Sequence, residues 1–150
     1  MNRSLFLRTA FAAALVATAL AGCASMRGAS GSQETYQATL SGSQEVPPAT
    51  TAGTGTADVR YNANNQMLSW SVTYSGLTGP ATAGHIHGPA GPGANAGVLI
   101  PFTNVSASTI TGEAKITPEQ LAQLTSGQWY VNLHTARYPG GEIRGQLRRK

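Results

Sequence analysis

Met67-Leu68-Ser69-Trp70-Ser71-Val72-Thr73-Tyr74-Ser75 alternates large apolar side chains with small polar ones along its whole length. Successive side chains of a β-strand point to opposite faces, so this run predicts a strand with Leu68, Trp70, Val72 and Tyr74 on its buried face. Upstream, Tyr36, Ala38 and Leu40 alternate with Gln37 and Thr39 until Ser41-Gly42-Ser43 interrupts them. Pro47-Pro48 cannot donate to a sheet and marks an edge or loop. Residues 54–61 resume the alternation through Thr56, Val59 and Tyr61, with the phase at Asp58 left open. Residues 62–65 read as a hairpin turn, because Asn tolerates positive φ and bonds its own backbone.

Downstream, residues 88–97 hold too much Gly and Pro for a regular element, and no GxGxxG or Walker spacing makes them a phosphate cradle. Residues 98–102 and 108–116 are further short strands. The one helical signal is a capping box with Thr117 at the N-cap, Pro118 at N1 and Gln120 at N3; Leu121 and Leu124 form its buried side, and Gly127 ends it. Residues 128–134 and 142–148 flank the turn Tyr138-Pro139-Gly140-Gly141 as a last hairpin. Ile143 and Leu147 face one way there; Glu142, Arg144, Gln146 and Arg148 face the other. The pattern predicts an all-β fold, a Greek-key β-sandwich or barrel of about 7–8 strands with one short helix.

The N-terminus reads differently. Arg3 and Arg8 precede an apolar run from Thr9 to Leu20, about a dozen residues long and too short for a permanent span of roughly 20. Leu20-Ala21-Gly22-Cys23 resembles the bacterial lipobox, which implies cleavage before Cys23, lipid on its sulfur and a membrane anchor; an ordinary signal peptide with an incidental Cys23 is the alternative. Ala24 and Ser25 resemble an outer-membrane address. The expected organisation is a lipoprotein signal peptide at 1–22, lipidated Cys23 and a Ser/Gly/Ala-rich tether over 23–33, and one domain over 34–150. The expected location is the bacterial cell envelope, with the protein on the outer membrane facing the periplasm. Cys23 is the only cysteine, so no intramolecular disulfide supports the fold. The chain carries +4, but beyond the signal eight Lys and Arg face six Asp and Glu, leaving +2. No basic stripe interleaved with aromatics points to nucleic acid, and six scattered acidic residues without a Ser-His-Asp order argue against a hydrolase.

The three histidines fall in two motifs, Gly84-His85-Ile86-His87-Gly88 and Val131-Asn132-Leu133-His134-Thr135. Strand alternation puts His85 and His87 on one side and Ile86 on the other. It likewise puts Tyr130, Asn132 and His134 opposite the apolar row Trp129, Val131 and Leu133. All three imidazoles then point away from the core, and on neighbouring strands they would converge as ligands of one metal ion. Histidines bracing the Gly-Pro segment through its carbonyls are the bland reading. Arg144 pairing with Glu142 or Glu45, Gly140-Gly141 serving a turn, and Met67 packing at an edge rather than acting as an axial ligand are the corresponding alternatives elsewhere.

Leu40-Ser41-Gly42-Ser43-Gln44-Glu45-Val46-Pro47-Pro48, Ala83-Gly84-His85-Ile86-His87-Gly88, and the stretch from Tyr130 to Leu147 together resemble the CHRD domain, found in bacterial secreted proteins and in animal chordin. That family implies no single reaction. The His-x-His strand, the later lone His and a Gly-Gly turn followed by Arg are also similar to the copper side of copper/zinc superoxide dismutases. This second likeness implies copper on His85, His87 and His134, with Arg144 or Arg137 as an anion-attracting cation. It departs from that pattern in lacking a further His for a bridge or zinc subsite and in lacking a disulfide pair. Two functions follow as expectations. One is a copper-binding envelope protein acting on superoxide or exchanging copper with another protein; the other is a non-catalytic adhesion or protein-interaction module.

Overall fold

The computed structural model describes residues 33–150. The signal peptide, Cys23 and all of the tether but Gln33 lie outside the described residues. Gln33 itself pairs with Asn62 as the first described residue.

Among the described residues nine strands and one α-helix follow in order, with a short 3-10 helix (Gly42–Gln44) after the first strand: β1 (Gln33–Ser41), β2 (Thr54–Asn62), β3 (Met67–Ser75), β4 (Ala81–His87), β5 (Val98–Pro101), β6 (Thr109–Lys115), α1 (Pro118–Thr125), β7 (Tyr130–Thr135), β8 (Ile143–Gln146) and β9 (Arg148–Arg149). They form one antiparallel sheet in the order β5-β4-β7-β8-β1-β2-β3-β6, with the short β9 added to β1. The sheet curls into a nearly closed barrel. Trp70 of β3, near one end of the order, stacks on Phe102, just beyond β5 at the other end, with ring centroids 5.4 Å apart. The β3-to-β4 and β6-to-β7 connections each carry the chain across to a distant part of the sheet, as in a Greek key.

Alternation decides what fills the barrel. Leu68, Trp70 and Val72 of β3 are buried, and so are Tyr36, Ala38 and Leu40 of β1, Ile86 of β4, Val131 and Leu133 of β7, and Ile143 and Leu147 near the C-terminus. These side chains belong to a single core cluster that includes Trp129 and Leu124, while Leu121 packs partly buried against it. Removing such side chains from water is the main force holding the fold. The capping box of α1 forms as expected: Gln120 N–H donates to Thr117 Oγ1 and Thr117 N–H to Gln120 Oε1.

Two local expectations change. Thr56 faces out, its hydroxyl 2.9 Å from that of Thr73, and Ala57 takes the inward position beside Val59 and Tyr61. Strand parity requires this, since residues 57, 59 and 61 share one face and 56 cannot. In the β2–β3 turn Asn62 and Asn65 accept hydrogen bonds from the amides of Asn64 and Met67, but the positive φ falls on Gln66 at 60°.

Candidate metal centre

β4 and β7 are antiparallel neighbours, with Ala83 opposite His134, His85 opposite Asn132 and His87 opposite Tyr130. The five polar side chains His85, His87, Tyr130, Asn132 and His134 therefore share the outer face, over the core residues Ile86, Val131 and Leu133. Gly84 lets that core close beneath the site, because a Cβ there would lie 2.6 Å from Leu133 Cδ2.

The histidines meet. One ring nitrogen from each of His85, His87 and His134 lies within 4.8 Å of the other two. His85 Nδ1 is 3.0 Å from His134 Nε2. Donors bound to one ion at about 2.0–2.1 Å stand roughly 3.3 Å apart in a tetrahedron, so side-chain shifts of about an ångström complete the set.

The sheet's outer face is not its solvent face here. His87 is 8% and His134 9% exposed, and only His85 is half-buried. The Gly-Pro segment 88–97 folds over the strands, and Ala96 O lies 3.0 Å from His87 Nδ1. The turn after β7 does the same on the other side, with Pro139 O 2.9 Å from His134 Nδ1. A carbonyl only accepts, so both Nδ1 atoms carry protons, and in a neutral ring the lone pair is then at Nε2. Burial, with the nearby charges of His134 and His87, lowers the His85 pKa. Burial also lowers that of His134, against the opposing bond to Pro139 and with help from His87. Both shifts favour the neutral ring, the form that binds metal.

Asn132 sits between the rings, its Oδ1 3.0 Å from His87 Nε2 and 3.0 Å from His134 Nε2. Tyr130 stacks on His87, with centroids 4.8 Å apart and planes 3° from parallel. On its other side the Arg144 guanidinium carbon lies 3.5 Å from the Tyr130 ring centroid. Arg144 is 1% exposed and donates to Asn95 Oδ1 at 2.9 Å and to Ala94 O at 2.7 Å, so it fastens the covering segment.

The alternative pairing of Arg144 with Glu142 or Glu45 does not occur; the ion pairs among the described residues are Arg149–Glu34 and Lys150–Asp58. The acceptors in the covering segment meet the guanidinium instead. Glu142 is fully buried among threonines, and its Oε1 accepts from Thr51 Oγ1 at 2.6 Å and Thr78 N at 2.8 Å. Its Oε2 accepts from Thr78 Oγ1 at 2.8 Å and Thr135 Oγ1 at 2.5 Å. Burial alone would raise its pKa, but the bonds from Thr135, Thr51 and Thr78 hold it below the usual carboxylate value. Glu45 is the opposite case. Burial pushes its carboxyl up to about 7, against the pull of Arg144 and of hydrogen bonds from Asn132 and the Val46 amide. Its Oε1 has no partner and occupies the space over Gly141, where a Cβ would lie 2.5 Å away and where φ is +133°.

Arg137 is exposed, with its guanidinium carbon 5.8 Å from the Tyr138 ring centroid. Met67 lies on β3 opposite Asn62 and Lys115, away from β4 and β7 in the sheet order, and takes no part in the cluster.

A nearly closed antiparallel barrel with a three-histidine cluster on its outer face defines the class of protein. The CHRD domain matches residues 36–147, and the chain belongs to the CHRD family. No curated protein and no solved structure matches it.

Proposed function

We propose that this CHRD domain is a metal-binding module of the bacterial cell envelope, with His85, His87 and His134 as ligands and copper as the favoured ion. The observation that carries the reading is the orientation of His87 and His134. Each donates its Nδ1 proton to a backbone carbonyl and turns its Nε2 lone pair toward the shared centre. Such outer hydrogen bonds orient imidazoles for metal and raise their basicity. Imidazole donors suit copper, zinc, iron and nickel, and among the divalent ions copper binds such sites most tightly. When bound, copper would supply one-electron redox chemistry; the protein's own part is to hold three neutral imidazoles and to cover two of them. His85, the most exposed ring, leaves the approach for an ion delivered by a copper-exchanging protein or for a small oxidant such as superoxide.

Arg144 has a positioning role in this reading. It grips the covering segment and the far face of Tyr130, and through both it fixes His87. The lipobox-like leader Leu20-Ala21-Gly22-Cys23 supports a membrane anchor for the module.

Metal titration of the purified chain tests the proposal. One tightly held copper per chain, lost in His87→Ala, is the expected result. Binding no tighter than micromolar, or unchanged by His87→Ala, would refute it and return the domain to an adhesion or protein-contact role. Dismutation by the copper-loaded chain above that of chelated free copper would extend the function to superoxide.

A further inference from the structure

Around the three rings, too many lone pairs face one point. His87 and His134 have their protons on Nδ1, bonded to Ala96 O and Pro139 O, so each neutral ring has only a lone pair at Nε2. The atom 3.0 Å from both of those nitrogens is Asn132 Oδ1, itself an acceptor. His85 Nδ1–H can serve the His134 nitrogen at 3.0 Å, but with a neutral His87 ring His87 Nε2 and Asn132 Oδ1 then meet as two acceptors, a contact that a cation between them relieves. A half-turn of the amide would place its NH2 on the rings. The structure places the oxygen, not the NH2, 3.0 Å from both rings.

The spacing also suits coordination. His134 Nε2 is 3.0 Å from His85 Nδ1 and 3.0 Å from Asn132 Oδ1, and His87 Nε2 is 3.0 Å from the same oxygen. Edges of about 3.3 Å are those of a tetrahedron with bonds of about 2.0–2.1 Å. We propose that Asn132 Oδ1 is a fourth metal donor, completing a set of three imidazole nitrogens and one amide oxygen. This inference rests on the three-histidine reading and adds a ligand to it.

The test uses the full chain, stripped of metal and titrated with copper(II) and, for its ligand-field spectrum, cobalt(II), against a competing chelator. Asn132→Ala is expected to weaken copper binding at least tenfold and to shift the cobalt bands. Asn132→Asp, which keeps an oxygen in place and adds charge, is expected to bind as tightly as wild type or tighter, with shifted bands.

Asn132→Ala within twofold of wild type, with unchanged bands and with binding still abolished by His87→Ala, would overturn the fourth ligand and leave the three-histidine site standing. Wild type that takes up no ion would overturn both. If Asn132→Ala does not fold, Asn132→Asp decides, and cobalt bands identical to wild type would refute the assignment.

Discussion

Glu142→Gln preserves shape and removes one charge from a site with no exposure. The carboxylate receives four hydrogen bonds, from Thr51 Oγ1, Thr78 N, Thr78 Oγ1 and Thr135 Oγ1. A bond to a charged group contributes about 1.5–3 kcal/mol against about 0.5–1.5 for a neutral one, so the four together favour the anion by roughly 4 kcal/mol. Relief from burying a charge offsets part of that. The lowered pKa of Glu142 sets the sign, because the bonds outweigh burial. A net loss of about 2 kcal/mol at pH 7 is expected, which for a domain of this size lowers Tm by roughly 8 °C. The folded pKa is depressed, so the anion's contribution is fully present above the unfolded value of 4.5 and is lost as pH falls through the lower folded value. Urea unfolding of wild type and variant from pH 7 down to about 2.5 should show a gap that closes in acid, at constant m-value. A gap under 0.5 kcal/mol at pH 7, or one that stays constant into acid, would refute the argument.

The other carboxyl slopes the opposite way: Glu45 has its pKa raised from 4.5 to about 7, so the unfolded chain loses this proton first and stability falls as pH rises across that window. Glu45→Gln should abolish a decline on the order of 2–3 kcal/mol, and identical pH profiles for the two proteins would contradict the assignment. His87→Ala should lower copper affinity more than a hundredfold, whereas Arg144→Ala, which loosens the cover without removing a donor, should cost about tenfold; equal losses in a chelator competition would put Arg144 on the ion itself. Cys23→Ser should move the protein from the membrane fraction to the soluble envelope fraction with an unchanged circular dichroism spectrum, and a variant that still sediments with membranes would end the lipid-anchor proposal.

The faces of β3, β4 and β7 were legible because parity carries them: Leu68, Trp70 and Val72 could only point together, and so could His85 and His87; β2 has no such clean row, and its pattern suggests Thr56 where Ala57 belongs. Asn132 and Tyr130 were legible in the same way, two and four residues before His134, yet their contacts with the rings were not. Those depend on β4 and β7 lying side by side, and the strands are joined only through β5, β6 and α1. The cover was illegible for another reason. Residues 88–97 have no periodicity, and what orders them is a guanidinium arriving from β8. Glu45 was legible only as one possible partner of Arg144; its burial against Gly141 depends on neighbours remote in sequence.

The main chain enters and leaves this barrel at one place. Lys150 N–H donates to Thr35 O at 2.9 Å, and Arg148 and Arg149 pair with Gln37 and Tyr36. A unit whose ends lie side by side can be spliced into a surface loop of another protein, or strung in tandem, without any strand being unpaired. Each copy would bring its own outer-face histidine cluster, so a polypeptide could multiply that site simply by duplicating the module.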